Sequence, residues 1–137
     1  MIPVLYMEFS QLPPTSNKIY FKGTILRTEA RKYAEWFAAE ARRYLPLISQ
    51  MNDQGIFALH LRFYMTLLNA SKTAKDRYKK IDLSNRVKLI EDCVRDAIGI
   101  DDSHTFRATQ EKRHEPDESK HRVLVWVEEV NPADFGV

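Results

Sequence analysis

Apolar positions recur along this chain with two periods. Between Phe57 and Met65, the residues Phe57, Leu59, Leu61, Phe63 and Met65 alternate with Ala58, His60, Arg62 and Tyr64, the period of two expected where a strand buries one face. Val4 to Phe9 has the β-branched and aromatic character of another strand; Pro13-Pro14 ends it, and Tyr20-Phe21 extend it as a short hairpin. From Thr28 to Tyr44 the period lengthens. Tyr33, Phe37, Ala41 and Tyr44 share one face of an alanine-rich helix, with Thr28 as its cap and Pro46 opposing its continuation. Trp36 and Tyr44, aromatics at helical spacing, are assigned to packing. A second helix carries Leu83, Val87, Ile90, Val94 and Ile98 on one face. Ser84 or Asn85 caps it, which sets Asp82 just ahead of its start, and Gly99 stops it.

Thr105 to Gln110 and Arg122 to Val130 read as two more strands, joined into a hairpin by the charged stretch from Glu111 to His121. Val123, Val125 and Val127 alternate with Leu124 and Trp126, so both faces are expected to be covered, one by helices and one by a partner subunit. The order β-α-β-α-β-β predicts an α+β (α/β) fold, one domain over residues 1–137, with a mixed four-stranded sheet and both helices packed against it. The βαβ steps favour parallel neighbours and the last hairpin an antiparallel pair. A chain of this length buries about two-thirds of its unfolded surface in a single core.

The net charge of +2 and pI near 8.7 are too mild to mark a polyanion binder, so the distribution has to carry that point. Lys72, Lys75, Arg77, Lys79 and Lys80 fall close together against Asp76 alone and run straight into Asp82. This stretch, from Asn69 to Lys80, has no apolar period and reads as a mobile loop. Tyr78 within it is a candidate to stack on an unpaired base or to wedge at a branch point, beside a plain packing role. The single cysteine, Cys93, excludes an intrachain disulfide and a cysteine-based zinc site and points to a reducing compartment. The start lacks a basic leader region and no apolar run reaches membrane-spanning length, so a cytoplasmic protein with no membrane partner is expected. His60, on the less buried face of its strand, is given no role, and His114 and His121 are too isolated to argue for a metal site.

Chemistry concentrates between Lys80 and Ser103. Asn85, Lys88, Asp92 and Asp96 gather on the polar side of the second helix, with Asp82 ahead of it and Asp101-Asp102 beyond Gly99. If the strand that follows runs back alongside the helix, Asp101 or Asp102 approaches Asp82. Carboxylates at close range repel unless protons or a cation compensate, and Mg²⁺, which prefers oxygen ligands and phosphate, is the candidate cation, with Mn²⁺ as a substitute. On spacing alone, a solvated outer helix face accounts for these charges equally well. Specificity comes from the pattern as a whole: Asp82, Leu83, Asn85, Lys88 and Asp92, followed by Asp101, Asp102 and Ser103.

That pattern resembles the RusA family of Holliday-junction resolvases, whose signature runs Asp-x-Asp-Asn-x-x-Lys-x-x-x-Asp and then Asp-Asp. Pro13-Pro14-Thr15-Ser16-Asn17 is similar to the family's Pro-Pro-x-x-Asn, and Lys112 stands where members often carry a lysine. The resemblance implies a Mg²⁺-dependent, structure-selective endodeoxyribonuclease that acts as a homodimer on four-way and related branched DNA. It implies Asp82 and Asp102 as metal ligands and catalytic residues, with Asp101 as an alternate ligand. Lys88 would act on the phosphoryl charge or the attacking water, while Ser84, Asn85 and Asp92 order the ligands. Asn17 would contact phosphate or metal-bound water, or equally hold its own loop, and Lys112 would contact DNA; the charge distribution adds Lys72, Lys75, Arg77, Lys79 and Lys80 as DNA contacts. One departure is Ser84, which stands where the family has its second aspartate. Two rival readings follow: a junction-binding protein with an impaired site, and a dimeric interaction module without nuclease activity.

Overall fold

The computed structural model describes residues 5–15, 19–21, 25–51, 54–71 and 75–137. In chain order the elements are β1 (Leu5–Phe9), β2 (Tyr20–Phe21), β3 (Ile25–Leu26), α1 (Thr28–Ala41), α2 (Leu45–Ile48), β4 (Ile56–Met65), α3 (Ser84–Ile98), β5 (Thr105–His114) and β6 (Arg122–Val130). β2 and β3 form the small separate hairpin, and the other strands form one mixed sheet in the order β1-β6-β4-β5. β6 lies antiparallel to both β1 and β4, whereas β4 and β5 are parallel. The expected α+β class, single small domain and mixed four-stranded sheet are therefore present.

The expected hairpin between the last two strands is not. β4 lies between β5 and β6, and the side chains explain why. β6 is buried on both faces, with Val123, Val125 and Val127 on one and Leu124 on the other, as a central strand requires. β5 reads Thr-Phe-Arg-Ala-Thr-Gln-Glu-Lys-Arg-His, is exposed or half-buried throughout, and suits only an edge. β5 also runs on to His114, past the expected end at Gln110.

One face of the sheet carries both helices. Leu5, Met7 and Phe9, with Leu59, Leu61, Phe63, Val123 and Val125, join Phe37 of α1 and Leu89, Ile90, Cys93 and Val94 of α3 in a single core. Phe9 stacks on Phe37 at 3.8 Å between ring centroids, and Trp36 packs partly buried against it. Because α3 packs on α1 as well as on the sheet, its buried stripe widens to Leu89 and Cys93, while Leu83, Val87 and Ile98 form a half-buried flank. Burial pushes the Cys93 thiol up to about 12, leaving it neutral and unreactive.

Among the described residues no helix lies over the other face, yet its groups are paired within the chain. Tyr6, Trp126 and His60 stack in a row at 6.2 and 5.1 Å, and Arg62 lies over Trp126. His60 also meets Thr109 at 2.6 Å and Glu128 at 3.3 Å, while Arg122 bridges to Glu8. At the β1 edge, Tyr44 and Arg43 bond the backbone of Glu8 and so blunt that edge. Among the described residues, no helix is long and apolar enough to cross a membrane.

Helix termini also differ from expectation in one instructive way. Thr28 opens α1 from inside, with Arg27 at the cap position and no side-chain cap. Gly99 ends α3 in the left-handed region at φ 78°, as read from the sequence, and a Cβ there would meet nothing within 4 Å. Gly99→Ala should therefore act through backbone strain alone, costing about 1–2 kcal/mol. Phe37→Ala, which empties the core, should cost about 3–5 kcal/mol. Denaturant titration checks both, and equal losses would contradict this division.

Candidate active site

Asp82 stands where the chain enters α3, and its position is fixed by a backbone contact. Its Oδ1 accepts a hydrogen bond from the Ser84 amide at 2.9 Å, and that bond holds its pKa below the usual carboxylate value. The capping role expected of Ser84 or Asn85 thus belongs to Asp82, since the cap position itself, Leu83, has no polar side chain. Asn85 follows on the first turn.

These residues edge an open cavity of about 680 Å³. Lys79, Lys80, Asp82, Asn85 and Arg86 line one side; Thr66, Glu118 and His121 line another; Leu12, Thr15 and Met65 complete it. Arg86 Nε donates to the Pro14 carbonyl at 3.0 Å, so the proline segment near the N-terminus is held against the start of α3. Burial lowers the Arg86 pKa. Lys112, near the end of β5, donates to the Ile81 carbonyl at 3.4 Å, one residue from Asp82. Three stretches far apart in sequence, around Pro14, Asp82 and Lys112, thus meet at one basic groove. Asn17 and Lys72 lie outside the described residues.

The second carboxylate pair is elsewhere. α3 has 15 residues, roughly 22 Å at 1.5 Å per residue, and Asp101-Asp102 follow its far end. There Arg95 gathers the negative charge, meeting Asp92 at 3.0 Å, Asp102 at 3.1 Å and Asp96 at 4.0 Å. The chain does return alongside the helix, but Asp101 and Asp102 sit at the beginning of that return. His104 donates to the Gly55 carbonyl at 2.8 Å, tying this corner to the start of β4. By the time β5 reaches the Asp82 end, it presents Lys112. Asp82 and Asp101 or Asp102 therefore do not converge within one chain, and among the described residues no three His, Cys, Asp or Glu side chains are grouped to hold a metal ion.

Lys88 lies between the two ends, with its Nζ 4.4 Å from the centre of the Tyr20 ring. Burial first, and the charge of Asp92 second, push the Tyr20 phenol up to about 12. Lys75 and Arg77 are exposed, and Lys80 reaches Asp76 at 3.9 Å. The stretch expected to be a mobile loop has a paired base: the Asn69 amide donates to the Arg77 carbonyl at 2.9 Å and the Lys79 amide to the Leu67 carbonyl at 2.7 Å. Sequence reasoning missed Arg86, Thr66, Glu118 and His121. Arg86 lay unmarked inside the motif. His121 gains its place only through tertiary contacts with Thr66 at 3.1 Å and the Glu115 carbonyl at 2.9 Å.

The family model for endodeoxyribonuclease RusA matches residues 12–128, most of the chain. No curated relative matches. Two crystal structures of the periplasmic domain of Helicobacter pylori MotB, residues 97–256 and 78–256, are similar at a TM-score of 0.40 and 8% identity. They cover 96% of this chain, and 86% and 80% of their own. A score that low carries no argument about this chain.

The crowding around Arg95 makes a measurable demand on stability. Burial first, then the charges of Asp102 and Asp92, raise the Glu91 pKa. A carboxyl raised in the folded state binds its proton more tightly there than in the unfolded chain, so stability falls as pH rises from the unfolded through the folded value. Glu91→Gln should therefore stabilise the protein at neutral pH, and the gain should vanish in acid, where the wild-type group is protonated in both states. Denaturation midpoints across that range check this; a gain independent of pH would contradict it.

Proposed function

The chain belongs to the RusA family of endodeoxyribonucleases, and on that premise we propose that it resolves Holliday junctions and related branched DNA by paired hydrolysis of phosphodiester bonds, each active centre being built from two copies of the chain. The observation that carries this reading is the opposite placement of the signature's two halves. Asp82, Asn85 and Lys112 are at one end of α3 and Asp101-Asp102 at the other.

A second copy supplies what one chain lacks. β5 is a ten-residue edge strand with both faces exposed or half-buried, a shape that invites pairing with another strand. Antiparallel pairing of β5 with its copy about a two-fold axis sets the start of one strand beside the end of the other. Asp101-Asp102 of one chain then lies toward Lys112 and Asp82 of the second, with the two α3 helices side by side and antiparallel. The charges agree, since the Asp82 end is rich in lysine and the far end in carboxylate. Register agrees too. Pairing about Thr109 sets Arg107 opposite Glu111, whereas pairing about Gln110 opposes Arg107 to Arg113 and pairing about Ala108 opposes it to the neutral Thr109. The edge suits the second copy better than the open sheet face, whose groups are already paired within the chain.

Each residue then has a physical task. Lys79, Lys80 and Lys112, with Lys75 and Arg77 further out, draw the phosphate backbone into the groove. Asp82, held by the Ser84 amide, presents a carboxylate at the groove's rim, and Asp102, with Asp101 as its alternate, arrives from the second copy. Lys88 and Asn85 hold the polar side of α3 that faces between them. A divalent cation, Mg²⁺ or Mn²⁺, belongs to this proposal because carboxylates crowded beside phosphate need compensating charge; it would favour the charge that develops on phosphate.

A labelled four-way junction incubated with Mg²⁺ or with EDTA tests the activity. Cleavage is expected with the cation only, and Asp102→Asn and Asp82→Asn should each abolish it while junction binding survives. Asparagine caps a helix about as well as aspartate, so Asp82→Asn should leave the start of α3 intact. Junction binding without any cleavage at any cation concentration would favour the binding-protein alternative instead. Ser84→Asp, which restores a second carboxylate two residues after Asp82, should lower the cation concentration needed for half-maximal cleavage. An unchanged or higher requirement in the folded variant would place residue 84 away from the ion.

A further inference from the structure

The arm that leads into the groove carries a feature the hydrolytic chemistry does not use. Leu67–Asn69 and Arg77–Lys79 form the two sides of a short ribbon, with Leu68 paired to Tyr78 across it. Its root is fixed: the Leu67 amide donates to His114 Nδ1 at 3.0 Å at the end of β5, and Asn69 Nδ2 donates to the Asp76 carbonyl. From this fixed backbone the Tyr78 ring projects with 65% of its surface exposed, more than any other aromatic side chain among the described residues whose exposure is large. The Arg77 guanidinium lies 5.8 Å from the ring centre.

A tyrosine held on a paired ribbon yet left in water contributes little to the core, while it offers a flat apolar surface at low conformational cost. Bases stack on such rings and on arginine planes alike. The surroundings select a polyanion: Lys75, Arg77, Lys79 and Lys80 neighbour it in sequence against Asp76. Tyr78 also lies close to the cutting site, because four residues of chain to Asp82 span at most about 14 Å. That corresponds to roughly four nucleotides at 3.4 Å each along a strand.

We propose that Tyr78, with Arg77 against it, is a stacking platform for a base left unpaired at the branch point, within about four nucleotides of the phosphate that is cut. This rests on the branched-DNA reading above and adds how the branch itself is recognised. Phosphate contacts by lysines hold any duplex, since they carry no structural information. A ring that needs a free base face discriminates a junction, whose bases at the crossover can unstack, from a continuous duplex, where every face is covered.

The test uses the full chain in EDTA, so that DNA is bound and not cut. Four-way junctions carry 2-aminopurine singly at each of the nucleotides nearest the branch, with a continuous duplex of the same sequence as control. Wild-type protein is expected to change the fluorescence at one or more of these positions. Tyr78→Ala should abolish that change and weaken junction binding by about five- to a hundredfold, with duplex binding unaltered, while Tyr78→Phe should retain both. Because the side chain is exposed, the thermal midpoint should be the same in all three proteins. If wild type prefers the junction but Tyr78→Ala leaves fluorescence and affinity unchanged, the stacking role is overturned and the branched-DNA reading stands. If wild type binds branched and continuous DNA alike, the branched-DNA reading falls and the stacking role with it.

Discussion

A helix that connects two parallel strands runs opposite to both, so whatever precedes it lies at the strands' C-terminal ends and whatever follows it lies at their N-terminal ends. In this chain β4, α3 and β5 obey that constraint, and the rest of the molecule's chemistry is arranged by it. Asp82 precedes α3 and therefore sits beside Met65 and Lys112, in the position open α/β sheets commonly use for ligands. Asp101 and Asp102 follow α3 and sit beside the start of β4. No adjustment of side-chain rotamers closes a gap the length of a 15-residue helix. In the proposed dimer, a second copy turned about a two-fold axis would close it through the backbone geometry alone.

The same constraint sorts charge. One end of α3 has a carboxylate among lysines and the half-buried Arg86; the other has Asp92, Asp96 and Asp102 gathered on Arg95, whose pKa their charges raise. Arg95 therefore compensates the far carboxylates within the chain, and its contacts to Asp102 must loosen if Asp102 is to serve another centre. The exposed β5 belongs to the same picture. β1, the opposite edge, is blunted by Tyr44 and Arg43, and the sheet face is closed by its own stacks and ion pairs, whereas among the described residues β5 is met by Phe135 only at Phe106 and Arg107 near its start and stays exposed or half-buried along its length.

Much of the framework was readable from periodicity. The alternation from Phe57 to Met65 marked β4, the Gly99 stop marked the end of α3, and the apolar stripes marked the helix faces, because burial of one face imposes a period that local sequence must follow. Strand order was not readable in the same way. The last two strands are consecutive in sequence, and only the contrast between the doubly apolar β6 and the charged β5 reveals that β4 separates them. The groove was half readable. Asp82, Asn85, Lys79 and Lys80 are neighbours in sequence, and Lys112 was marked by resemblance alone. Arg86 and His121 reach the groove through Pro14, Thr66 and Glu115, contacts between segments that no local pattern encodes. The position of Asp101-Asp102 was misread because a returning strand was taken to return its first residues.

The central claim is that each active centre draws Asp82 from one chain and Asp102 from the other. A mixed dimer of Asp82→Asn and Asp102→Asn chains, isolated through two different tags, tests it directly on a labelled four-way junction. If the centres are shared, one centre of the mixed dimer has both mutations and the other has neither, so the mixed dimer should nick the junction although each parent homodimer is silent. If each centre lies within one chain, every centre of the mixed dimer carries a mutation, and a mixed dimer as silent as its parents would contradict the account.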